Sequence, residues 1–147
     1  MSNREDQQAP VSYSWPGWVR LTLSLLAGCA VGLIGTVSHR MGAAYNIPYG
    51  MVLSLLIVLG SAWSARARSG YADLVLHFVS STATAWGLAL TSKASSALVA
   101  TGSVAFHTYF STHVWQWWLY GIIVIQVVVA FFPASWFSSA KVKHDRG

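Results

Sequence analysis

Asp73 and His77 lie four residues apart within one apolar run. On a helix that spacing puts both on one face. Ionisable side chains inside a membrane-length helix mark ion paths and proton relays by default, and histidine changes charge near neutrality. Ser80, Ser81 and Thr84 follow in the same run, so a polar path Asp73–His77–Ser80–Ser81–Thr84 would extend along it. The competing role is structural. Asp73 falls about one turn from the end of the run, within reach of Arg66 and Arg68 as an ion pair.

Other chemistry-bearing residues are sparse. His39, His107 and His113 could offer imidazoles to zinc or copper. They lack ligand spacing of three or four residues and have no cysteine or carboxylate on their side of the chain, so no metal site or cofactor is assigned. No serine–histidine–acid set and no phosphate-cradling glycine loop is present, which points away from an enzyme. The one cysteine, Cys29, ends Leu26-Ala27-Gly28-Cys29, a match to a bacterial lipoprotein cleavage site. Cleavage there would leave a lipidated Cys29 and three helices. Against it stand the short apolar stretch after Arg20, the apolar residues 30–37 that follow, and the acids in the leading tail. Otherwise Cys29 is a small buried hydrophobe.

Ser24, Gly28, Gly32 and Thr36 recur every four residues. Small side chains at that spacing line a ridge against which another backbone can pack closely. The neighbour is a helix of this chain, a second copy or another membrane protein. Trp115-Gln116-Trp117-Trp118-Leu119-Tyr120 reads as an interfacial aromatic girdle. Gln126, inside a valine-rich run, is placed for an interhelical hydrogen bond.

The elements that carry these residues follow from hydropathy. The 147 residues are 54% hydrophobic and 9% charged, with a mean hydropathy of +0.50. A soluble domain is about 25% charged, so a lipid bilayer is the expected solvent and partner. The expected fold is all-α, with four transmembrane helices at residues 19–38, 48–65, 71–91 and 115–133. Each run is close to the ~20 residues that cross the apolar core of a bilayer. Residues 1–18 form a polar, disordered tail, and residues 138–147 a basic one. Residues 92–114 form an outer segment, either a surface hairpin about Thr101-Gly102 or a short re-entrant piece.

Four crossings put both tails and the loop after the second helix on one side. That side holds Arg4, Arg20, Arg66, Arg68, Lys141, Lys143 and Arg146; the other holds Arg40 and Lys93. Lys and Arg favour the cytoplasm, so both termini are expected there, in a bacterial plasma membrane. Tyr45, Tyr49, Trp115, Trp117 and Trp118 then mark the outer boundary; Trp18, Trp63, Tyr71, Phe131, Phe132 and Trp136 mark the inner one. The net charge of +5 is spread over these flanks and forms no basic stripe, so nucleic acid is not an expected partner.

Gly35-Thr36 with His39-Arg40, Ile47-Pro48-Tyr49-Gly50 and Arg66-Ala67-Arg68 resemble short motifs of a group of small uncharacterised actinobacterial membrane proteins. The likeness covers mainly residues 32–68. It implies a four-helix topology and a bacterial host, and it brings no activity with it. The leading expectation is a non-enzymatic accessory or structural subunit that packs through the small-residue face and forms a homo-oligomer or joins a membrane-protein partner. The alternatives are an oligomeric transporter or channel with a polar path along the third helix, or a lipidated protein cleaved before Cys29.

Overall fold

A proline opens the first helix because its fixed φ suits a helix start and it has no N–H to satisfy. Pro16, at φ −54°, accepts hydrogen bonds from the N–H groups of Val19 and Arg20 through its carbonyl, and α1 runs Gly17–Ser38. The computed structural model describes residues 15–91 and 108–137. Of these residues 87% are helical, with no strand among them. Helix α2 spans Tyr49–Ser69 behind Pro48, α3 spans Tyr71–Thr91, and α4 spans Tyr109–Phe131. All four are long and apolar enough to cross a membrane.

The link from α1 to α2 is tightened by two left-handed residues, Gly42 (φ 81°) and Asn46 (φ 59°), around a 3₁₀ turn at Ala43–Tyr45. The N–H of Ile47 donates to the Gly42 carbonyl and that of Gly50 to the Met41 carbonyl, each at 3.1 Å. Between α2 and α3 stands Gly70 alone, at φ 75°. A side chain there would oppose the backbone conformation that reverses the chain in one residue. Its N–H donates to the Arg66 carbonyl, and its carbonyl accepts from Leu74.

Some boundaries differ from the sequence expectation. Helix α2 continues to Ser69, so Arg66 and Arg68 lie in its last turn and not in a loop. Helix α4 begins at Tyr109, so residues 109–114, expected in the outer segment, are helical. The string from Tyr109 to Val114 is too polar to register as an apolar run, yet it holds no helix breaker, and Val114 is fully buried. The expected hairpin or re-entrant piece at 92–107, with Lys93, lies outside the described residues, as do residues 1–14 and 138–147 of the tails. Gly17 and Trp18, expected in the disordered tail, are the first residues of α1 because Pro16 starts the helix ahead of the apolar run.

The closest packing is between α1 and α3. A Cβ on Gly28 would overlap Ser80 Oγ and lie 2.7 Å from the His77 carbonyl oxygen. One on Gly32 would lie 2.6 Å from the Ser81 carbonyl oxygen. The small-residue ridge therefore meets a helix of its own chain, with Ser24, Gly28, Gly32 and Thr36 all buried. Val31, Val58, Ala85, Trp118, Leu119 and Ile122 form the main apolar core. A smaller cluster of Ala62, Leu74 and Val129 sits nearer the Arg66 end.

Because the atom opposing Gly32 is backbone, Gly32→Ala must push α1 from α3. Its melting point in detergent is expected to fall by several degrees, in line with the ~1–3 kcal/mol that overpacking costs. Gly60→Ala, where a Cβ meets nothing within 4 Å, should leave the melting point unchanged or slightly raise it.

Candidate functional site

Three of the helices converge on His77. Its Nε2 lies 2.8 Å from Ser61 Oγ of α2, and its Nδ1 lies 2.8 Å from Gln126 Oε1 of α4. The protonation pattern follows from the amide. Gln126 Nε2 donates to the Ile122 carbonyl and to Ser81 Oγ, each at 3.0 Å, so its oxygen must face His77 and accept. Nδ1 therefore carries the proton, and Nε2 accepts from the Ser61 hydroxyl. Ser81 in turn donates to the Phe78 carbonyl at 3.2 Å. The network ties α2, α3 and α4 with every ring and amide heteroatom engaged, and His77, Ser81 and Gln126 are buried. Buried polar groups demand such satisfaction, because each one left unpaired costs the desolvation of that group.

His77 makes no hydrogen bond to Asp73. Asp73 is fully buried in the first turn of α3, where the helix dipole favours a negative charge. Its Oδ2 lies 3.8 Å from Arg68 Nε, and neither carboxylate oxygen has a hydrogen-bond partner. Arg68 reaches across to α1, where its Nη2 donates to Ser24 Oγ at 3.0 Å. Arg66, the other expected partner, is engaged elsewhere: its guanidinium carbon stands 3.3 Å above the Tyr71 ring centre. The other hydroxyls of the expected path turn back on their own helix, Ser80 to the His77 carbonyl and Thr84 to the Ser80 carbonyl. Beyond Ser81 the interior is closed by the apolar core around Val58, Ala85, Trp118 and Ile122.

A second polar group lies at the far end of α1. His39 is fully buried and stacks on Trp118 at 5.9 Å between ring centres. Its Nδ1–H donates to the Thr36 carbonyl at 2.7 Å, and Trp118 Nε1 donates to Thr36 Oγ1 at 3.2 Å. Trp118 is thus no part of an interfacial girdle. Gly35, which has no Cβ to obstruct it, admits the indole between α1 and α4. Trp117 and Tyr120 remain exposed. Burial pushes the His39 imidazole down to about 4, helped by Arg40 and opposed by the Thr36 and Gly35 carbonyl contacts.

His113 bonds only to the Tyr109 carbonyl, one turn back, and His107 lies outside the described residues. Among the described residues no three His, Cys, Asp or Glu side chains gather closely enough to hold a metal ion. Cys29 is a half-buried free thiol on α1. Ser61 was not legible as a partner of His77: it follows Gly60 in a stretch whose serines have no distinctive spacing. Ser54, which bonds Ser38 across α1 and α2 at 2.9 Å, was equally silent.

Gln126→Leu removes the acceptor of His77 Nδ1–H and the donor to Ser81 at near-constant volume. Stability should fall by about 1–2 kcal/mol, read from reversible denaturant unfolding in detergent. Double substitution with His77→Leu should cost less than the sum of the singles, because each already orphans the other.

His39 gives a pH dependence of definite sign. Its folded-state value lies below the ordinary 6.5, so between about 6.5 and about 4 the unfolded chain takes up a proton and the folded chain does not. Its contribution to stability is complete above the upper limit, declines as pH falls through this window, and levels off below it, by up to roughly 3 kcal/mol. His39→Asn keeps a donor for the Thr36 carbonyl without titrating, and its melting curve should be flatter over that window than that of the parent.

No family model, curated protein or solved structure matches this chain, so its function must be read from its own residues.

Proposed function

We propose that this chain is a multi-pass integral membrane protein of a bacterial plasma membrane, with both termini cytoplasmic, acting as a non-enzymatic accessory or structural subunit. The observation that carries the structural role is the closure of the His77–Gln126–Ser61–Ser81 network. A proton relay needs partners that titrate or exchange protons with water on either side of it. His77 has both ring nitrogens occupied by neutral hydrogen-bond partners.

The membrane reading is supported by an inverted distribution of polarity. Ser24, Ser54, Asp73, His77, Ser81 and Gln126 are interior, whereas Leu26, Leu33, Leu56, Val75, Val124 and Val128 face outward. Lipid makes that arrangement favourable; water would not. Orientation rests on charge: Arg20, Arg66 and Arg68 share the end where α2 meets α3, and Arg40 lies at the other. Because Gly28 and Gly32 are occupied by α3, a partner or second copy would meet a different, outward face.

Orientation is tested with single cysteines in a Cys29→Ser background. Tyr45→Cys should react with a membrane-impermeant maleimide on intact cells, and Trp136→Cys only after permeabilisation; the reverse pattern would invert the topology. The rival transport reading is carried by Asp73, whose buried carboxylate lacks a hydrogen bond. In proteoliposomes we expect proton and cation flux no greater than in empty vesicles. Flux in the parent chain that Asp73→Asn or His77→Ala abolishes would replace the structural role with transport.

A further inference from the structure

Arg66 is buried to 4% exposure, yet no carboxylate among the described residues neutralises it. Its guanidinium sits between two rings, 3.3 Å from the centre of Tyr71 and 5.2 Å from that of Phe137. Its Nε–H is buried with no acceptor. Asp73, the nearest acid in sequence, is directed at Arg68. A guanidinium is a permanent cation with five donors. Aromatic faces offset part of the loss of water, but they leave the buried Nε–H without an acceptor.

The same side chain lines a pocket of about 190 Å³. One wall runs from Arg66 to Gly70, and Ala134 and Phe137 form the other. That volume is several times the ~30 Å³ share of one water, enough for a phosphate group. Arg68 lines it too, and Arg20 reaches the Arg68 carbonyl from α1 at 3.4 Å. Among the described residues, three arginines against Asp73 leave this end of the bundle with a local excess of two positive charges. The 3₁₀ turn Ala134–Trp136 brings the apolar wall over them, with Trp63 packed against Phe137 at 4.5 Å between ring centres.

We propose that this pocket binds a phosphate anion, with the Arg66 guanidinium as its principal ligand and Arg68 as a second cation. Planar donors on a buried guanidinium match phosphate oxygens in pairs. The anion is the headgroup of an acidic phospholipid or a free phosphate. The lipid source rests on the membrane reading above, since the pocket would then open at headgroup depth on the cytoplasmic side.

The test uses the full chain in a neutral detergent. Native mass spectrometry compares retention of phosphatidylglycerol with phosphatidylcholine, and melting is followed with and without millimolar inorganic phosphate. The parent should prefer phosphatidylglycerol by roughly fivefold, about what one cation–headgroup contact contributes. Arg66→Met should abolish the preference, and Arg66→Lys should keep part of it. A melting point raised by inorganic phosphate, with phosphatidylglycerol displaced, assigns the site to a free phosphate. Equal retention of the two lipids by the parent, with no shift in phosphate, overturns the proposal whether or not Arg66→Met folds. A preference that survives in folded Arg66→Met overturns it as well. Failure of the membrane reading is seen separately, as release of the chain from membranes by alkaline carbonate without detergent.

Discussion

The bundle depends on how closely α1 approaches α3. At Gly28 and Gly32 the two helices touch through backbone, with the carbonyls of His77 and Ser81 where a Cβ would otherwise stand. That approach fixes the rotation of α3 about its axis. With one side of α3 pressed against α1, His77 projects toward α2 and α4, where Ser61 and Gln126 receive it. A wider separation would loosen that rotation and the register of every polar contact with it. Van der Waals packing at small residues is the main source of such helix association where no water is available to be expelled.

The polar interior is divided. Asp73 and His77 share a face of α3, but one faces Arg68 of α2 while the other bonds Ser61 of α2 and Gln126 of α4. Spacing along a helix brings two side chains to one side; it does not make them partners. Each turns to whatever the adjoining helix offers at its own depth. The charges stay at the Arg66 end, neutral hydrogen bonds occupy the next layer, and an apolar core lies beyond. This order suits the cost of burial, which is highest for charges and falls for neutral groups that find partners.

Much of the architecture was legible because it is written in runs. Four apolar stretches of the right length gave four helices, and small residues every fourth position gave the tight face on α1. Gln126 was legible as the site of an interhelical hydrogen bond because a polar amide in a valine-rich run has few other uses. What escaped depends on pairing across helices. Ser61 is an ordinary serine until His77 arrives beside it. Trp118 looked like its neighbours in an aromatic string, and only the gap left by Gly35 distinguishes it. The start of α4 was missed because Thr112 and His113 are polar, though a helix with such residues in its first turns remains a helix. Arg66 and Arg68 are two residues apart and read alike as partners for Asp73, yet a helix sends them in different directions.

That separation of Arg66 from Arg68 bears most directly on function. With the His77 network closed in the middle of the bundle, the unsatisfied charged groups lie at its Arg66 end. At the His39 end the buried ring is stacked on Trp118 and bonded to its own backbone through Nδ1, while Nε2 has no hydrogen-bond partner among the described residues. At the other end, among the described residues, Arg68 has Asp73 and Ser24, and Arg66 has only aromatic faces. Burying a cation between rings without an anion is a poor choice for stability alone, since an apolar side chain of similar size would fill the space with no charge to desolvate. The proposed phosphate would supply the missing anion. The same bound anion would then join the end of α2 to the turn after α4, fastening the bundle at the level where its charges are concentrated.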